Sequence, residues 1–139
     1  MIKFLHSTVA LLAMGAVLSS CEKNDAAPSA TPASAALRGS WQWKSSFCGW
    51  SGASSPATSG RTETLLFDPL GHVQLYRNGV LQSSSVYTLS RHQSMLTQAP
   101  ADFIRFDNRE FRYEINNTTL TLSMDVYDGC NSSYEQQAQ

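Results

Sequence analysis

The chain carries little charge, and that charge is not concentrated anywhere. Only 15% of its 139 residues are charged, with ten Lys and Arg against eleven Asp and Glu and a net charge of −1. Proteins that bind nucleic acid usually show a basic block or stripe, which this sequence lacks. There is also no acidic tail that would attract a cationic partner. We therefore expect no nucleic-acid partner.

The sequence also lacks the usual motifs of metal sites and of covalent catalysis. Neither Cys48 nor Cys130 has a second Cys or a His at the spacing of two to four residues that zinc sites use. His72 follows a turn glycine and His92 lies in a polar segment, so both are expected to be solvated. No Gly-x-Ser-x-Gly motif is present to place a serine nucleophile. We predict no metal, no cofactor and no catalytic residue, and we do not expect an enzyme.

No apolar run is long enough for a membrane-spanning helix. The longest such segment, from Phe4 to Leu18, is interrupted at residues 6–8, and a span needs roughly 20 apolar residues. A single cation, Lys3, followed by about a dozen mostly apolar residues is typical of a signal peptide. Residues 1–20 are therefore predicted to be a signal peptide.

The segment that ends this apolar run, Leu18-Ser19-Ser20-Cys21, resembles the lipobox of bacterial lipoproteins. The resemblance implies cleavage before Cys21 and attachment of lipid to its thiol and new amine. More than one acyl chain is needed for durable membrane anchoring, which agrees with that chemistry. It implies a protein anchored by its N-terminal lipid to the outer membrane of the cell envelope, on the periplasmic or the surface face. The alternative is an ordinary secreted protein cut nearby, with Cys21 as a spare thiol.

The number of cysteines supports the same interpretation. Three is an odd number, and an exposed unpaired thiol is a liability in an oxidising compartment. Lipidation of Cys21 leaves Cys48 and Cys130 as an even pair, for which we predict a disulfide. In the loop-entropy description, a bond across their separation stabilises the fold by at most about 4.5 kcal/mol.

A composition change separates this N-terminal region from a globular domain. Residues 26–36, AAPSATPASAA, are small and include two prolines, which is typical of a flexible tether. We predict a lipidated cysteine and flexible linker over residues 21–36 and a single domain over residues 37–139.

The domain shows the alternating pattern of β-strands and no sustained helical period. Turn residues recur about every ten residues, and Asn78-Gly79 is the strongest hairpin signal. The pattern predicts an all-β fold, a small antiparallel up-and-down barrel of about eight strands. A Cys48–Cys130 bond requires the first and last strands to be neighbours, which in a meander favours closure of the sheet.

Finer expectations follow the same pattern. We expect Met124 and Val126 to point inward. We also predict a long loop at Cys48–Gly60, a turn at Ser90–Gln93, a short strand at Ser94–Gln98 and a frayed edge strand at Ser132–Gln137.

The start of the domain, Gly39-Ser40-Trp41, resembles the Gly-x-Trp that opens lipocalin-like domains. The later segments LLFDPLGHVQLYRNG, Tyr87 to Leu89, LTLSMDVYDGC and Ser133-Tyr134 are similar to the small lipocalin-like lipoproteins of Gram-negative bacteria. The resemblance covers most of residues 37–136 and implies a lipocalin-like β-barrel. It implies no particular ligand, because one fold serves many functions.

Four aromatic residues are candidate ligand contacts or plugs of the barrel interior: Trp41, Trp43, Trp50 and Tyr127. We expect Trp41 to plug one end rather than to line a cavity, because eight short strands enclose little space. Trp50 is either an exposed contact or folded back over the barrel mouth.

These features predict a monomeric, non-catalytic binding module whose partner is a small hydrophobic ligand or a protein. The alternative function is a small protease inhibitor, in which the N-terminal tether would be the reactive part.

Overall fold

The computed structural model describes residues 32–138, with side chains from Ser34 onward. The predicted signal peptide, Cys21 and most of the predicted linker lie outside this range. In chain order the elements are α1 (Pro32–Leu37), β1 (Gly39–Cys48), β2 (Gly52–Ser54), α2 (Pro56–Ser59), β3 (Glu63–Phe67), β4 (His72–Arg77), β5 (Val80–Val86), β6 (Thr88–Gln93), β7 (Pro100–Phe106), β8 (Arg109–Asn116), β9 (Thr119–Ser123) and β10 (Cys130–Gln136).

The strands form one antiparallel sheet that curls strongly into a half-barrel. Its order is β5-β4-β3-β1-β10-β9-β8-β7-β6, and the short β2 pairs with β1 beside this path. Strands β3 to β5 and β6 to β10 are each paired in chain order, and the pairs β1–β3 and β1–β10 join these two runs. The predicted all-β, up-and-down, barrel-like fold is therefore confirmed. The ten strands exceed the expected eight or so.

The first and last long strands lie side by side, as the cysteines required. The ladder between β1 and β10 runs from Trp41 opposite Gln136 to Cys48 opposite Cys130. The two cysteines form the predicted disulfide, with Cα atoms 4.1 Å apart. The expectation that the last segment is a frayed edge is wrong, because β10 pairs with β1 on one side and with β9 on the other.

The barrel has a seam at β5 and β6, which end the sheet on its two sides. These strands follow each other in the chain but share no ladder among the described residues. Tyr87 separates them: its ring packs edge-on against Phe67 at 5.3 Å, and its amide donates to the Gly71 carbonyl. Burial of this aromatic ring turns the chain away from β5, so the expected backbone closure of the barrel is incomplete.

Turn residues end the strands where the sequence pattern places them. Asn78 and Gly79 both have positive φ, 50° and 77°, as the hairpin turn between β4 and β5 requires. Asn and Asp also hold positive φ at the predicted turns of Asp107-Asn108, Asn117 and Asp128.

Two neighbouring segments have the opposite secondary structure to the one expected, which was a turn at Ser90–Gln93 and a strand at Ser94–Gln98. Ser90–Gln93 continues β6, paired with β7, whereas Ser94–Gln98 is a turn and not a strand. The reason is a long-range contact: the Asp125 carboxylate accepts hydrogen bonds from the Ser94 hydroxyl at 2.6 Å and the Met95 amide at 2.6 Å.

Two further local expectations are wrong. Val126 is 44% exposed, because β9 ends at Ser123 and the chain then enters a loop, whereas Met124, although 39% exposed, lies on the wall of the cavity described below. The expected long loop after Cys48 contains β2 and the one-turn helix α2. The helix is fixed by a capping box between Ser55 and Thr58.

The hydrophobic core fills the end of the half-barrel nearest α1. Trp41 is fully buried there, and its indole Nε1 donates to the carbonyl oxygen of buried Leu37 at 2.7 Å. This bond fixes α1, which overlaps the end of the predicted linker, across that end of the sheet. The rest of the core cluster comprises Trp43, Leu65, Phe67, Val73, Tyr87, Ile104, Phe106, Leu120, Leu122 and Tyr134. No helix within residues 32–138 has the length and apolar character needed to cross a membrane.

Candidate ligand cavity at the disulfide end

A cavity of about 680 Å³ occupies the end of the half-barrel opposite α1. We call it the mouth cavity. Its wall includes both disulfide cysteines, the β2 region and the Asp107 turn. Its apolar lining is provided chiefly by Leu65, Leu75, Phe106, Phe111 and Leu122.

The hairpin of β3 and β4 shows how the sequence builds this cavity. Cross-strand pairs on its inner face run from Phe67–Val73 in the core, through Leu65–Leu75, to Glu63–Arg77 at the mouth. Because side chains alternate between the two faces of a strand, the charged pair lies on the same face as the apolar ones. The interior therefore changes from apolar to charged towards the opening.

Glu63 is the centre of a hydrogen-bonded group inside the mouth. Its Oε1 accepts from the Tyr134 hydroxyl at 2.8 Å, and its Oε2 lies 3.4 Å from an Arg77 Nη2. Tyr134 is 5% exposed, so burial, followed by the negative charge of Glu63 and their hydrogen bond, raises the Tyr134 pKa well above its usual value. Tyr134 is therefore a neutral hydrogen-bond donor at physiological pH.

Arg61 lies on the wall of the same cavity. Its guanidinium carbon is 4.9 Å from the centre of the Trp43 ring, a cation–π contact. Trp43 is held in place because its Nε1 donates to the Ser46 hydroxyl, which is also hydrogen-bonded to the Ser132 hydroxyl at 2.8 Å. The Arg61 Nε is buried and has no hydrogen-bond partner within the described chain.

The opposite rim of the mouth brings together the seam and the turn between β7 and β8. The Ser83 hydroxyl, on β5, donates to Asp107 Oδ2 at 2.6 Å and so bridges the two sides of the seam. Arg109, the first residue of β8, follows this turn and also lines the cavity.

The predicted site residues lie in three different environments. Trp41 and Trp43 are buried in the core and do not line the mouth cavity. Trp50 lines the rim and is 79% exposed, so it does not fold back over the mouth. Tyr127 is 83% exposed and lies outside the lining. The structure thus brings Trp50 alone of the four aromatics to the cavity, beside Cys48 and Cys130.

Sequence reasoning did not single out Arg61, Glu63, Arg77 or Tyr134 as a group. A signal for two of them was present: extending the alternation of Leu65 and Phe67 back by two residues places Glu63 inward. The same step forward from Val73 and Leu75 places Arg77 inward. Arg61 lies one further step back along the same alternation, just before β3 begins, and Tyr134 joins them because β10 lies across β1 from β3 and the sheet curls.

The histidines contact other groups outside the mouth cavity. His72 Nδ1 lies 2.9 Å from Asp68 Oδ2, and the His92 ring stacks on Phe103 at 3.7 Å between centroids. The His72 amide is the strongest influence that lowers the pKa of Asp68. Within residues 32–138, no group of three or more His, Cys, Asp and Glu side chains is arranged to hold a metal ion.

Comparisons with protein-family models, with curated proteins and with solved structures gave no significant match to this chain.

Proposed function

We propose that this protein is a lipid-anchored lipoprotein of the bacterial cell envelope whose lipocalin-like half-barrel binds a small ligand in the mouth cavity without catalysing a reaction. The lipobox-like segment ending at Cys21 supports the anchor. The Cys48–Cys130 disulfide supports a compartment outside the cytoplasm, because disulfides are rare inside it.

The mouth cavity is the observation that carries the binding function. Small-molecule sites are typically clefts of about 300–1,000 Å³, largely apolar, with a few polar groups that orient the ligand. The cavity of about 680 Å³ falls in this range, with an apolar floor around Leu65 and Leu75 and polar groups at Arg61 and Glu63. The inhibitor alternative depends on the tether, most of which lies outside the described residues.

A ligand screen tests the binding function. The full chain carrying Cys21→Ser, which cannot be lipidated, is screened against lipids, fatty acids, short glycans and peptides by thermal unfolding and calorimetry. A ligand at about 100 times its Kd adds about 2.7 kcal/mol of stability, which raises the Tm by several degrees. If no compound in the panel shifts the melting temperature, the binding function is refuted.

A matched pair of variants locates the site. Leu75→Trp fills the floor of the mouth cavity and is expected to abolish the ligand-dependent shift. Val80→Trp adds the same ring at a position that is 63% exposed on β5 and is expected to leave the shift unchanged. Equal binding by both variants would place the site elsewhere.

Mass spectrometry of the membrane fraction under non-reducing conditions tests the anchor. The expected mature protein begins at Cys21, carries diacylglycerol and an N-linked acyl chain, and retains the Cys48–Cys130 bond. Cys21→Ser is expected to release the protein from the membrane. An unmodified Cys21 in the wild-type protein would contradict the proposed anchor.

A further inference from the structure

We propose that the mouth cavity selects amphiphiles that carry an anionic oxygen head group, a carboxylate or a phosphate, and that Arg61 binds this head group while the apolar floor holds the tail. This inference rests on the proposed binding function and goes beyond it by naming the chemical class of the ligand.

The charges around the cavity favour an anion. Three arginines line it, Arg61, Arg77 and Arg109, against two carboxylates, Glu63 and Asp107. Both carboxylates already have partners, since Glu63 is bound by Tyr134 and Arg77. Asp107 accepts the Ser83 hydroxyl. A cationic head group would therefore meet uncompensated positive charge and no unoccupied carboxylate.

Arg61 has the hydrogen-bonding capacity that such a ligand would use. Among the described residues, no carboxylate lies within 4 Å of its guanidinium nitrogens and no acceptor meets its buried Nε. A guanidinium has five N–H donors in a planar fork that matches carboxylate and phosphate oxygens. The buried Nε itself has almost no accessible surface, whereas the two Nη groups are accessible and have no hydrogen-bond partner among the described residues, so they are free to bind an oxyanion in the cavity.

Arg61 is also held in place before any ligand arrives. Its guanidinium rests on the ring of Trp43, which is 1% exposed and hydrogen-bonded through Ser46. A side chain fixed in this way loses less entropy on binding than a free surface arginine. Arg77, in contrast, shares its guanidinium with Glu63, and Arg109 is exposed at the rim.

The floor of the cavity determines what the rest of the ligand must be. Leu65 and Leu75 lie one cross-strand pair deeper than the charged Glu63–Arg77 pair, and Phe111 and Leu122 face them across the interior. Burial of an alkyl chain against these side chains is favourable by about 0.8 kcal/mol per CH₂. The ligand is thus expected to enter with its tail first and leave its head at the arginines.

Four octyl compounds with one tail and different heads test this assignment. Calorimetry on the full chain with Cys21→Ser compares octanoate, octyl phosphate, octanol and octylammonium. The two anions are expected to bind at least about tenfold more tightly than octanol, and octylammonium most weakly. The ratio of the dissociation constants of octanoate and octyl phosphate shows whether a carboxylate or a phosphate is the preferred head group.

The outcomes separate this inference from the function on which it rests. Equal binding of octanol and octanoate, or preference for octylammonium, would overturn the anion assignment and leave the binding function intact. Binding of none of the four would overturn the assignment and count against binding of amphiphiles altogether. For the wild-type cavity, higher salt is expected to weaken binding of octanoate but not of octanol.

Variants then assign the head group to Arg61. Arg61→Gln is expected to weaken octanoate binding by about tenfold or more and to leave octanol binding unchanged. Arg105→Gln, which neutralises an exposed arginine outside the cavity, is the matched control and is expected to change neither.

A second variant, Glu63→Gln, is expected to change the octanoate affinity in the opposite direction, a result that loss of folding cannot produce. Glu63→Gln can still accept the Tyr134 hydrogen bond but removes a negative charge and releases Arg77. It is expected to bind octanoate several times more tightly, which a purely structural role of the cluster would not produce. Weaker binding by Glu63→Gln would contradict the proposal.

Discussion

At the scale of single residues, Asp125 shows how one carboxylate organises a distant turn. Burial by itself would raise its pKa, but hydrogen bonds from the Ser94 hydroxyl and two backbone amides lower the pKa below the usual value. Ser94 is fully buried and is 31 positions away in the chain. The charged carboxylate thus stabilises the turn between β6 and β7 more than the protonated acid would.

Acid is therefore expected to weaken this turn. Because the Asp125 pKa is lower in the folded state, its contribution is complete above the unfolded value of about 3.9 and is lost as pH falls through the folded value. Asp125→Asn is expected to cost about 1–2 kcal/mol at pH 7 and little at pH 2. Thermal unfolding between pH 7 and pH 2 measures the difference.

Asp102→Asn is the control for this prediction, because Asp102 forms an exposed pair with Arg91 and such pairs contribute little. Asp68, whose pKa is also lowered, accounts for part of the acid sensitivity that remains in the Asp125 variant. An equal loss of stability at pH 7 and pH 2 would contradict a role for the charged carboxylate.

At the scale of secondary-structure elements, the hairpin of β4 and β5 depends on its two-residue turn. Gly79 has a φ of 77°, and a Cβ added there would meet no atom within 4 Å. Any cost of a side chain at this position is therefore conformational and not steric.

Gly79→Ala is expected to destabilise the protein by about 1 kcal/mol, as measured by urea unfolding. Gly79→Asn is expected to lose less unfolding free energy than Gly79→Ala, since Asn adopts positive φ more readily than Ala. Equal stability of the Ala variant and the wild type would show that the turn does not hold β5 in register.

At the scale of the whole molecule, the disulfide joins the first and last strands next to the mouth cavity. It connects residues 82 positions apart, so it restricts a large loop of the unfolded chain. The ladder between β1 and β10 already places the two cysteines opposite each other in the folded state. The stabilisation is therefore expected to come mainly from the unfolded chain.

The double variant Cys48→Ser/Cys130→Ser is expected to lose about 2–4 kcal/mol and to retain the same fold. Urea unfolding with and without reductant measures this, and reductant should have no effect on the variant. Cys21→Ser is the matched control and should unfold like the wild type. A double variant as stable as the wild type would show that the β1–β10 ladder suffices without the bond.

The sequence by itself determined the local features of this protein. Alternation and turn residues predicted the fold class, and Asn78-Gly79 and Asp107-Asn108 each reverse the chain as predicted. Cysteine counting identified the pair that forms the disulfide. The strand pattern and the turns depend on neighbouring residues, whose φ, ψ preferences and side-chain alternation act over a few positions. The disulfide pair followed instead from the number of cysteines and the lipobox at Cys21.

Only the tertiary structure decided that β10 is an inner strand and not a frayed edge, that the chain turns at Ser94, and which side chains meet in the mouth cavity. Each depends on groups far apart in the chain: Ser94 turns because of Asp125, and Arg61 meets Tyr134 because the sheet curls. Alternation assigns a side chain to one face of a strand. It does not say which strand lies opposite, and that pairing creates the charged mouth from which the ligand class is inferred.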